Sequence, residues 1–600
     1  MSTKITLVIL TGMFLLMFAS ILNDSATMDE LAHIPSGYGY VSQLDYRLNP
    51  EHPPLLKTLS GLSAWIFVNP NFPTDTKAWR DDINGQWTQG AVFLYESGND
   101  ADQIVFWSRI PFLLLTILLG WLIFDWTRKR FNTATALMTL LLFAFSPTIL
   151  AHSRYVTTDL GAAFGFFIGF IGFLKFLEVP NRKNLLIAGL LFGTAQLLKF
   201  SLILLIPMYV LMIVGWIVTR PNLHLHERIK LGMRISLKTM LLGIVGFALV
   251  WIVYIPHVWN YPKDRQYNDA DLTLTSFGLR PAVNLNLALI DNKYTRPFGQ
   301  YMLGVLMVQQ RAAGGNTAYF LDEVSAKGSR IYFPLLYLIK ENLALHILTL
   351  IALIFAFYKF RKSSGSITGR ARLWIYNHFA EFSALTFIIF YWLVSIKSPL
   401  NIGVRHVLPT FPFIYILVSR QIVEWLKWHE TVNPQSWLDW FRNVYQLYIK
   451  SIPKYLFVGV LMLWLIGSSV AIFPNYLSYY NELSGGTSEG YKIAVDSNYD
   501  WGQDLKRLTD FVRENQIEKI SVDYFGGGNP RYYLGGRFEP WWSARGPAHG
   551  WFAISGTFLQ GAHGKTAPGF IRKPEDSYEW LKGYEPVARA GYSIFIYKLP

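Results

Sequence analysis

Long apolar segments are the feature that most constrains how this chain can fold. Runs of about 18 residues or more recur along most of the 600-residue sequence, and such runs are long enough to cross a bilayer as helices. Only 16% of the residues are charged and 52% are hydrophobic, whereas a soluble protein carries roughly a quarter charged residues. The sequence therefore predicts a multi-pass α-helical membrane protein.

We predict eleven spans, near residues 5–22, 104–124, 132–150, 158–177, 185–199, 201–218, 239–257, 342–358, 373–395, 404–419 and 455–473. With this placement the basic clusters of the loops fall on one side, which the positive-inside rule assigns to the cytoplasm. The N-terminus would then lie inside and the C-terminus outside. A cleaved signal peptide is the alternative for the first run, but the residues after it look functional and many more spans follow.

Three segments on the outer side are too long to be simple connectors. They are residues 23–103, 258–330 and 474–600. We accordingly divide the chain into a transmembrane domain, 1–473, and a C-terminal soluble domain, 474–600.

The C-terminal segment shows patterns of both helices and strands. Helical patterns at 504–515 and 576–582 alternate with strand patterns at 518–525, 550–559 and 591–598. This alternation predicts a small α/β domain outside the cytoplasm.

Charge and cysteine content exclude several classes of function. The net charge is +14, but the basic residues lie in short loops rather than along one stripe, so no nucleic-acid partner is predicted. The sequence has no cysteine, which excludes disulfides and thiolate metal sites.

An acidic pair, Asp29 and Glu30, follows the first predicted span. A carboxylate at the water boundary of a membrane can stay ionised and accept a proton from an incoming hydroxyl or amine. The alternative is a helix start, because acidic residues in a first turn complement the helix dipole.

A His-Pro-Pro-Leu-Leu-Lys segment spans residues 52–57. Its prolines favour a helix start, and the apolar face over 55–68 is suited to lie along the bilayer surface. His52 and Lys57 would then be available to an anionic headgroup. Alternatively, Lys57 extends to the interface and His52 caps a turn.

Further candidates occur at other outer span ends. Asp159 follows His152 and Arg154 and precedes a long apolar helix, so it could also be an N-cap. Lys199 interrupts an apolar stretch; a lysine in the bilayer centre costs about 2.5–3.5 kcal/mol and needs a partner such as phosphate, unless it lies at an outer turn.

A glycine-bearing turn leads to Arg405 and His406. Backbone N–H groups and a guanidinium fork suit a phosphate, and extension of the arginine to the interface is the alternative. In the tail, Asp496, Asp500 and Asp504 have a spacing of four, which allows a Ca²⁺ or Mg²⁺ site or a helix cap.

Together these motifs resemble the protein O-mannosyltransferase family. The resemblance is carried by Asp29-Glu30, by His-Pro-Pro-Leu-x-Lys, by Thr157-Thr158-Asp159 and by the outward-facing multi-span layout. That family belongs with the GT-C membrane glycosyltransferases, which include the lipid A aminoarabinose transferase. The segments 401–409 and 496–505 resemble uncharacterised bacterial members, and the similarity covers roughly residues 1–540.

The resemblance implies a polyprenyl (dolichyl or undecaprenyl) phosphate sugar donor and an inverting displacement on the outer face of a bacterial cytoplasmic membrane, with no cofactor and no metal. Asp29 would be the base, Glu30 would support it and Asp159 would orient the substrate. The candidates for binding the donor phosphate are His52, Lys57, Arg154, Lys199, Arg405 and His406. We therefore expect Asp29 to share a cavity with Arg405 and His406.

The acceptor and two other functions stay open. Eukaryotic mannosyltransferases carry a β-trefoil domain in a central outer loop, and 258–330 is too short for one. This departure leaves a glycolipid or cell-wall acceptor as open as transfer to protein Ser/Thr. A transporter or lipid flippase would fit the many spans, although transporters usually place charged sites near the midplane in paired halves. A non-catalytic scaffold is the third hypothesis.

Overall fold

The computed structural model describes residues 2–221, 223–428, 435–568, 571–573 and 577–600. Among these residues, nine helices are long and apolar enough to cross a membrane. The chain is a multi-pass helical membrane protein, as the sequence predicts. The nine are Ser2–Ile21, Ala101–Arg130, Asp159–Glu178, Phe200–Thr219, Leu225–His257, Leu343–Lys362, Phe379–Lys397, Val404–Lys427 and Ile452–Ala471.

The α-helices of the first part of the chain are α1 (Ser2–Ile21), α2 (Met28–Ser42), α3 (Pro54–Phe67), α4 (Lys77–Arg80), α5 (Gln86–Ala91), α6 (Ala101–Arg130), α7 (Thr133–Ala144), α8 (Pro147–His152), α9 (Asp159–Glu178), α10 (Arg182–Gln196), α11 (Leu205–Thr219) and α12 (Leu225–His257). Those of the second part are α13 (Lys263–Thr273), α14 (Arg280–Asp291), α15 (Arg296–Gly314), α16 (Tyr332–Lys340), α17 (Leu343–Lys362), α18 (Ile367–Asn377), α19 (Phe379–Lys397), α20 (Phe411–Lys427), α21 (Trp437–Val444), α22 (Ile452–Ala471), α23 (Leu505–Glu514), α24 (Pro530–Leu534) and α25 (Gly556–His563).

Two of the eleven predicted spans form shorter helices. The run at 132–150 is divided after α7, because the Ser146 hydroxyl caps a new helix and Pro147 occupies its first position. The run at 185–199 gives α10, which ends at Gln196, and a 3₁₀ helix, Phe200–Leu204, precedes α11. Lys199 therefore lies at the turn between two helices, the alternative that the sequence left open.

The basic clusters lie at one end of the helix bundle. Arg128, Lys129 and Arg130 form the last turn of α6, Arg182 begins α10, and Lys362 ends α17. α1 ends, and α6 and α9 begin, at the opposite end. This one-sided distribution is the one expected of a membrane protein with a fixed orientation; the assignment of the cytoplasmic side stays a prediction.

The two long outer segments within the bundle are largely helical. Residues 23–103 contain α2 to α5, and α3 covers the predicted amphipathic segment, with Leu62, Trp65 and Ile66 exposed. Residues 258–330 contain α13 to α15 and an antiparallel pair of strands, β1 (Ala318–Phe320) and β2 (Glu323–Ser325).

The C-terminal segment contains β3 (Ile520–Asp523), β4 (Phe538–Pro540), β5 (Gly550–Ser555), β6 (Lys565–Thr566), β7 (Ala588–Ala590) and β8 (Ile594–Leu599). Five strands form a sheet of order β4-β3-β5-β8-β7, in which β3 is parallel to β4 and β5, and the other pairs are antiparallel. β6 instead pairs with β2 in parallel, which connects the tail to the outer segment 258–330.

The predicted elements of the tail correspond to this sheet with two changes. α23, β3, β5 and β8 lie where a helix and three strands are expected, but β5 ends at Ser555 because α25 begins directly after it. The predicted helix at 576–582 is a 3₁₀ turn, Glu579–Gly583; its first residue, 576, lies outside the described residues.

Residues 476–501 pack into the large core of the transmembrane part. Tyr476, Tyr480, Tyr499 and Trp501 belong to that core, whereas the first separate core of the sheet begins at Leu505. The division of the chain at residue 473 therefore stays a prediction.

Helices α2 and α3 pack closely enough to require glycine. A Cβ at Gly37 would overlap the Lys57 carbonyl, and a Cβ at Gly61 would overlap the Gly37 carbonyl.

We expect Gly61→Ala to destabilise the fold by about 1–3 kcal/mol, since the backbone must move to admit the methyl group. Thermal unfolding in detergent measures this. The control is Gly459→Ala in α22, where a Cβ would meet nothing within 4 Å; equal midpoints for the two variants would contradict the packing argument.

Candidate functional site

A cavity of about 360 Å³ lies at the end of the bundle where α1 ends and α9 begins. Six of the nine predicted site residues line it, and they come from five separate parts of the chain: Asp29, His52, Asp159, Lys199, Arg405 and His406. The expectation that Asp29 shares a cavity with Arg405 and His406 is met.

Four of these side chains form a continuous chain of ion pairs. Arg405 Nη1 donates to Asp29 Oδ2 at 2.8 Å and to Asp159 Oδ2 at 3.1 Å. Lys199 Nζ donates to Asp159 Oδ1 at 2.6 Å. Asp159 is the first residue of α9 and Thr158 is its N-cap, so the Asp159 carboxylate serves the two cations and does not cap the helix.

Asp29 is the acid of this chain that is open to the cavity. Its side chain is 27% exposed, whereas that of Asp159 is 2% exposed. Burial tends to raise the pKa of the Asp29 carboxyl, but the Arg405 guanidinium outweighs burial and holds that pKa below its ordinary value. Asp29 is therefore an ionised carboxylate with one side facing open space.

The imidazole of His52 lies on the same wall. Its ring is 5.1 Å from the ring of His33, which bonds the Val156 carbonyl at 2.8 Å. Burial lowers the pKa of His52 well below its ordinary value, and its Nδ1 has no hydrogen-bond partner among the residues that the structure describes. His52 is thus a neutral ring with an unused polar atom beside the cavity.

Glu30 does not line the cavity. It is fully buried and forms a two-pronged pair with Arg109, at 2.8 Å from Nε and 2.7 Å from Nη2. It also accepts the backbone N–H groups of Thr27 and Val156. The helix-start alternative thus applies to Glu30, whose carboxylate fixes the first turn of α2 and so the direction of Asp29.

Lys57 and Arg154 also lie away from the cavity. Lys57 Nζ is buried and donates to the Tyr40 hydroxyl at 2.8 Å and to the carbonyls of Asn49 and His52 at 2.7 and 3.0 Å. Arg154 pairs with Asp24 at 2.7 Å. The Lys57 side chain points into a pocket beside the rings of Tyr40 and Tyr46, which the spacing of residues along a helix does not reveal. Lys57 and Arg154 therefore donate to backbone carbonyls and do not face the cavity.

Several lining residues were absent from the predicted set. Glu51 directly precedes the segment 52–57, and Asp496 and Trp501 belong to the aspartate-rich tail motif, so these three residues lie in or beside motifs that the sequence shows. Arg311, near the end of α15, carried none. The Trp501 ring lies 4.2 Å from the Arg405 guanidinium carbon, a contact between residues far apart in the chain.

The three tail aspartates do not converge on one point. Asp496 lines the cavity, Asp500 accepts the Thr557 N–H at 2.8 Å, and Asp504 accepts the Ser593 hydroxyl. In the part of the chain that the structure describes, no group of three or more His, Asp or Glu side chains could hold a metal ion. The metal-site alternative for this motif is not supported.

A family model covers part of this region. Residues 98–254, which include Asp159 and Lys199, match the family described as dolichyl-phosphate-mannose-protein mannosyltransferase. The match covers about a quarter of the chain. This match agrees with the resemblance seen in the motifs, although it leaves out Asp29 and Arg405. No curated protein matches the sequence at a significant level.

Solved structures are only distantly similar. The Saccharomyces cerevisiae Pmt1–Pmt2 complex bound to its sugar donor has 18% identity and a TM-score of 0.32, over 43% of this chain and 34% of that chain. Archaeoglobus fulgidus oligosaccharyltransferase AglB, with an inhibitory peptide and a dolichol-phosphate, has 13% identity and a TM-score of 0.43, over 89% of this chain and 64% of that one. Cupriavidus metallidurans ArnT in the apo state has 11% identity and a TM-score of 0.31, over 99% of this chain and 97% of that chain. This chain thus spans about a third of the first relative and less than two thirds of the second.

The buried Glu30–Arg109 pair should be essential for stability. Arg109→Leu leaves a desolvated carboxylate without its partner, and we expect a loss of about 3–5 kcal/mol. A lower midpoint of thermal unfolding in detergent reports it. The matched control is Arg128→Leu, which removes an exposed pair with Asp125 and should cost at most about 1 kcal/mol. Similar midpoints for the two variants would show that the buried pair contributes little.

Proposed function

We propose that this protein transfers a sugar from a polyprenyl phosphate donor to an acceptor at the outer face of a membrane. The observation that carries the proposal is one cavity at the end of the bundle that contains an ionised Asp29 carboxylate and, 2.8 Å away, the Arg405 guanidinium. The family match over residues 98–254 supports the same class of reaction.

The basic side of the cavity suits the phosphate of such a donor. Arg405 and Lys199 provide two cations, and His52 and His406 provide imidazole rings. The leaving phosphate gains negative charge as its bond to the sugar breaks. Preorganised donors that meet this charge where water is scarce are each worth about 2.7–4 kcal/mol of the barrier.

The apolar side of the cavity suits the prenyl chain. Leu204, Val308 and Val394 line it beside the polar groups. An apolar groove of about 300 Å³ lies further along the same stretch of chain, and Ile206, Val210 and Ile213 contribute to it. A lipid tail following this stretch from the cavity would stay within the hydrocarbon region while its phosphate reaches the cations.

The reaction proposed is a single displacement. The acceptor oxygen attacks the anomeric carbon, the bond from that carbon to the phosphate oxygen breaks, and the bonding electron pair leaves with the polyprenyl phosphate. Asp29 accepts the proton of the acceptor hydroxyl. When the phosphate takes over hydrogen bonds from Arg405, the Asp29 oxygen that Arg405 occupies becomes available for this proton. Asp159 retains Lys199 and orients the cations.

Turnover of purified protein with a panel of polyprenyl-phosphate sugars tests the proposal, with released polyprenyl phosphate as the readout. We expect Asp29→Asn to lower turnover by about 10²–10⁴-fold, because the amide cannot accept the proton, while donor still binds. The control is Asp291→Asn, which alters an exposed outer carboxylate and should leave turnover unchanged. Wild-type protein that releases no polyprenyl phosphate from any donor, but moves lipid across vesicle membranes, would favour the transporter or flippase alternative.

The pH profile separates two acids of the cavity. The Arg405 guanidinium holds the pKa of Asp29 below its ordinary value, so this carboxyl stays ionised at neutral and mildly acidic pH. Burial raises the pKa of Asp496 to about 6, although Arg405 opposes this. Protonation of Asp496 removes a negative charge that repels the donor phosphate, so we expect donor KM to fall between about pH 7 and 5. Asp496→Asn should have a low KM that no longer changes over this range; a retained change would assign it to another group.

A further inference from the structure

The tail motif of residues 496–505 has a position that the reaction alone does not explain. It lies in the C-terminal segment, yet residues 497–503 pass between the turn that leads to Asp29 and the turn that carries Arg405. We call residues 497–503 the bridge.

On one side the bridge holds the residues just before Asp29. The Met28 N–H donates to the Trp501 carbonyl at 2.9 Å, and the Ser25 N–H donates to the Gln503 carbonyl at 3.0 Å. The Ser25 hydroxyl donates to the Gly502 carbonyl at 2.7 Å. These bonds fix the start of α2 and therefore the position of the Asp29 backbone.

On the other side the bridge holds the residues around Arg405. The Val404 N–H donates to Asn498 Oδ1 at 2.9 Å, and the Ser497 hydroxyl donates to the Ile402 carbonyl at 2.9 Å. The approach is close enough that a Cβ at Gly403 would overlap the Ser497 hydroxyl. The Trp501 ring packs against the Arg405 guanidinium.

The bridge itself is rigidly supported. Lys340 Nζ donates to the Asn498 carbonyl at 2.6 Å, and Asn498 Nδ2 donates to the Tyr332 hydroxyl at 2.9 Å. Gln503 Oε1 accepts the Trp501 N–H at 2.9 Å. Asn498 and Trp501 are buried. A segment with its polar groups bonded in this way has little freedom to shift.

We propose that the bridge sets the distance between the base and the phosphate cations, with Asn498 and Trp501 as positioning residues. This inference rests on the proposed glycosyl transfer. The Arg405–Asp29 ion pair joins residues 376 positions apart, but it cannot keep them aligned while Arg405 binds phosphate. The bridge contacts do not involve the phosphate, so they persist through the reaction. The C-terminal segment is in this way part of the catalytic geometry.

The test compares Trp501→Leu with Trp501→Phe in full-length protein. Loss of the flat ring lets Arg405 move, and a misplacement of about 1 Å costs about 10²-fold. We expect Trp501→Leu to lower kcat by about 10- to 100-fold with a much smaller change in donor KM, and Trp501→Phe to recover most of kcat. The control is Trp551→Leu, which removes a ring of β5 that packs on Phe511 of α23 and should lower thermal stability without changing kcat per folded molecule.

The outcomes are distinguishable. Active wild-type protein together with an unchanged kcat in folded Trp501→Leu would overturn the bridge while leaving the proposed function intact. Wild-type protein inactive on every donor would overturn the proposed function and the bridge with it. If Trp501→Leu does not fold, Ser497→Ala removes one bond to the Arg405 turn, and an unchanged kcat there overturns the bridge as well.

Discussion

The structure depends on the pairing of buried charges at one end of a helix bundle. A desolvated ion costs several kcal/mol unless an opposite charge or several hydrogen bonds compensate it. Here two sets of pairs meet that condition in different ways. Glu30 with Arg109 and Asp24 with Arg154 are closed on all sides. The second set, Asp29 with Arg405, Asp159 and Lys199, borders a cavity. The first set fixes the backbone, and the second leaves room for a ligand that can replace one partner by another.

This contrast suggests how one cluster of charges provides both a framework and a reaction centre. Asp29 and Glu30 are adjacent in the chain, but α2 directs one carboxylate into the cavity and the other into the protein, where Thr27 and Arg109 hold it. The buried Glu30 carboxylate thus orients Asp29, which faces the cavity. In the proposed reaction the donor phosphate exchanges places with Asp29 on Arg405, so the ligand that brings the sugar also frees the base.

Much of the helical architecture and several residues of the cavity could be predicted from the sequence alone. Apolar runs identify membrane helices because a bilayer demands about 20 apolar residues per crossing, and nine of eleven predicted spans meet that length among the described residues. The acid and base clusters at span ends were recognisable because charges are rare in such a chain. The helix break at Ser146-Pro147 was a local signal that a run of apolar residues concealed. Lys57 shows the limit: its motif placed it near His52, but a pocket formed by Tyr40 and Asn49 turned its side chain inward.

The sequence by itself determined the class of the protein, the end of the bundle where charge collects and six of the side chains that line the cavity, because each of these follows from hydrophobicity or from local spacing. Only the tertiary structure decided which of two adjacent acids faces open space, which cations are used for support, and that Trp501 lies against Arg405. Those outcomes depend on tertiary contacts, such as the pairing of Glu30 with Arg109, 79 positions apart, and of Asp29 with Arg405, 376 positions apart. Such contacts arise from packing of the whole chain and leave no mark in any local pattern.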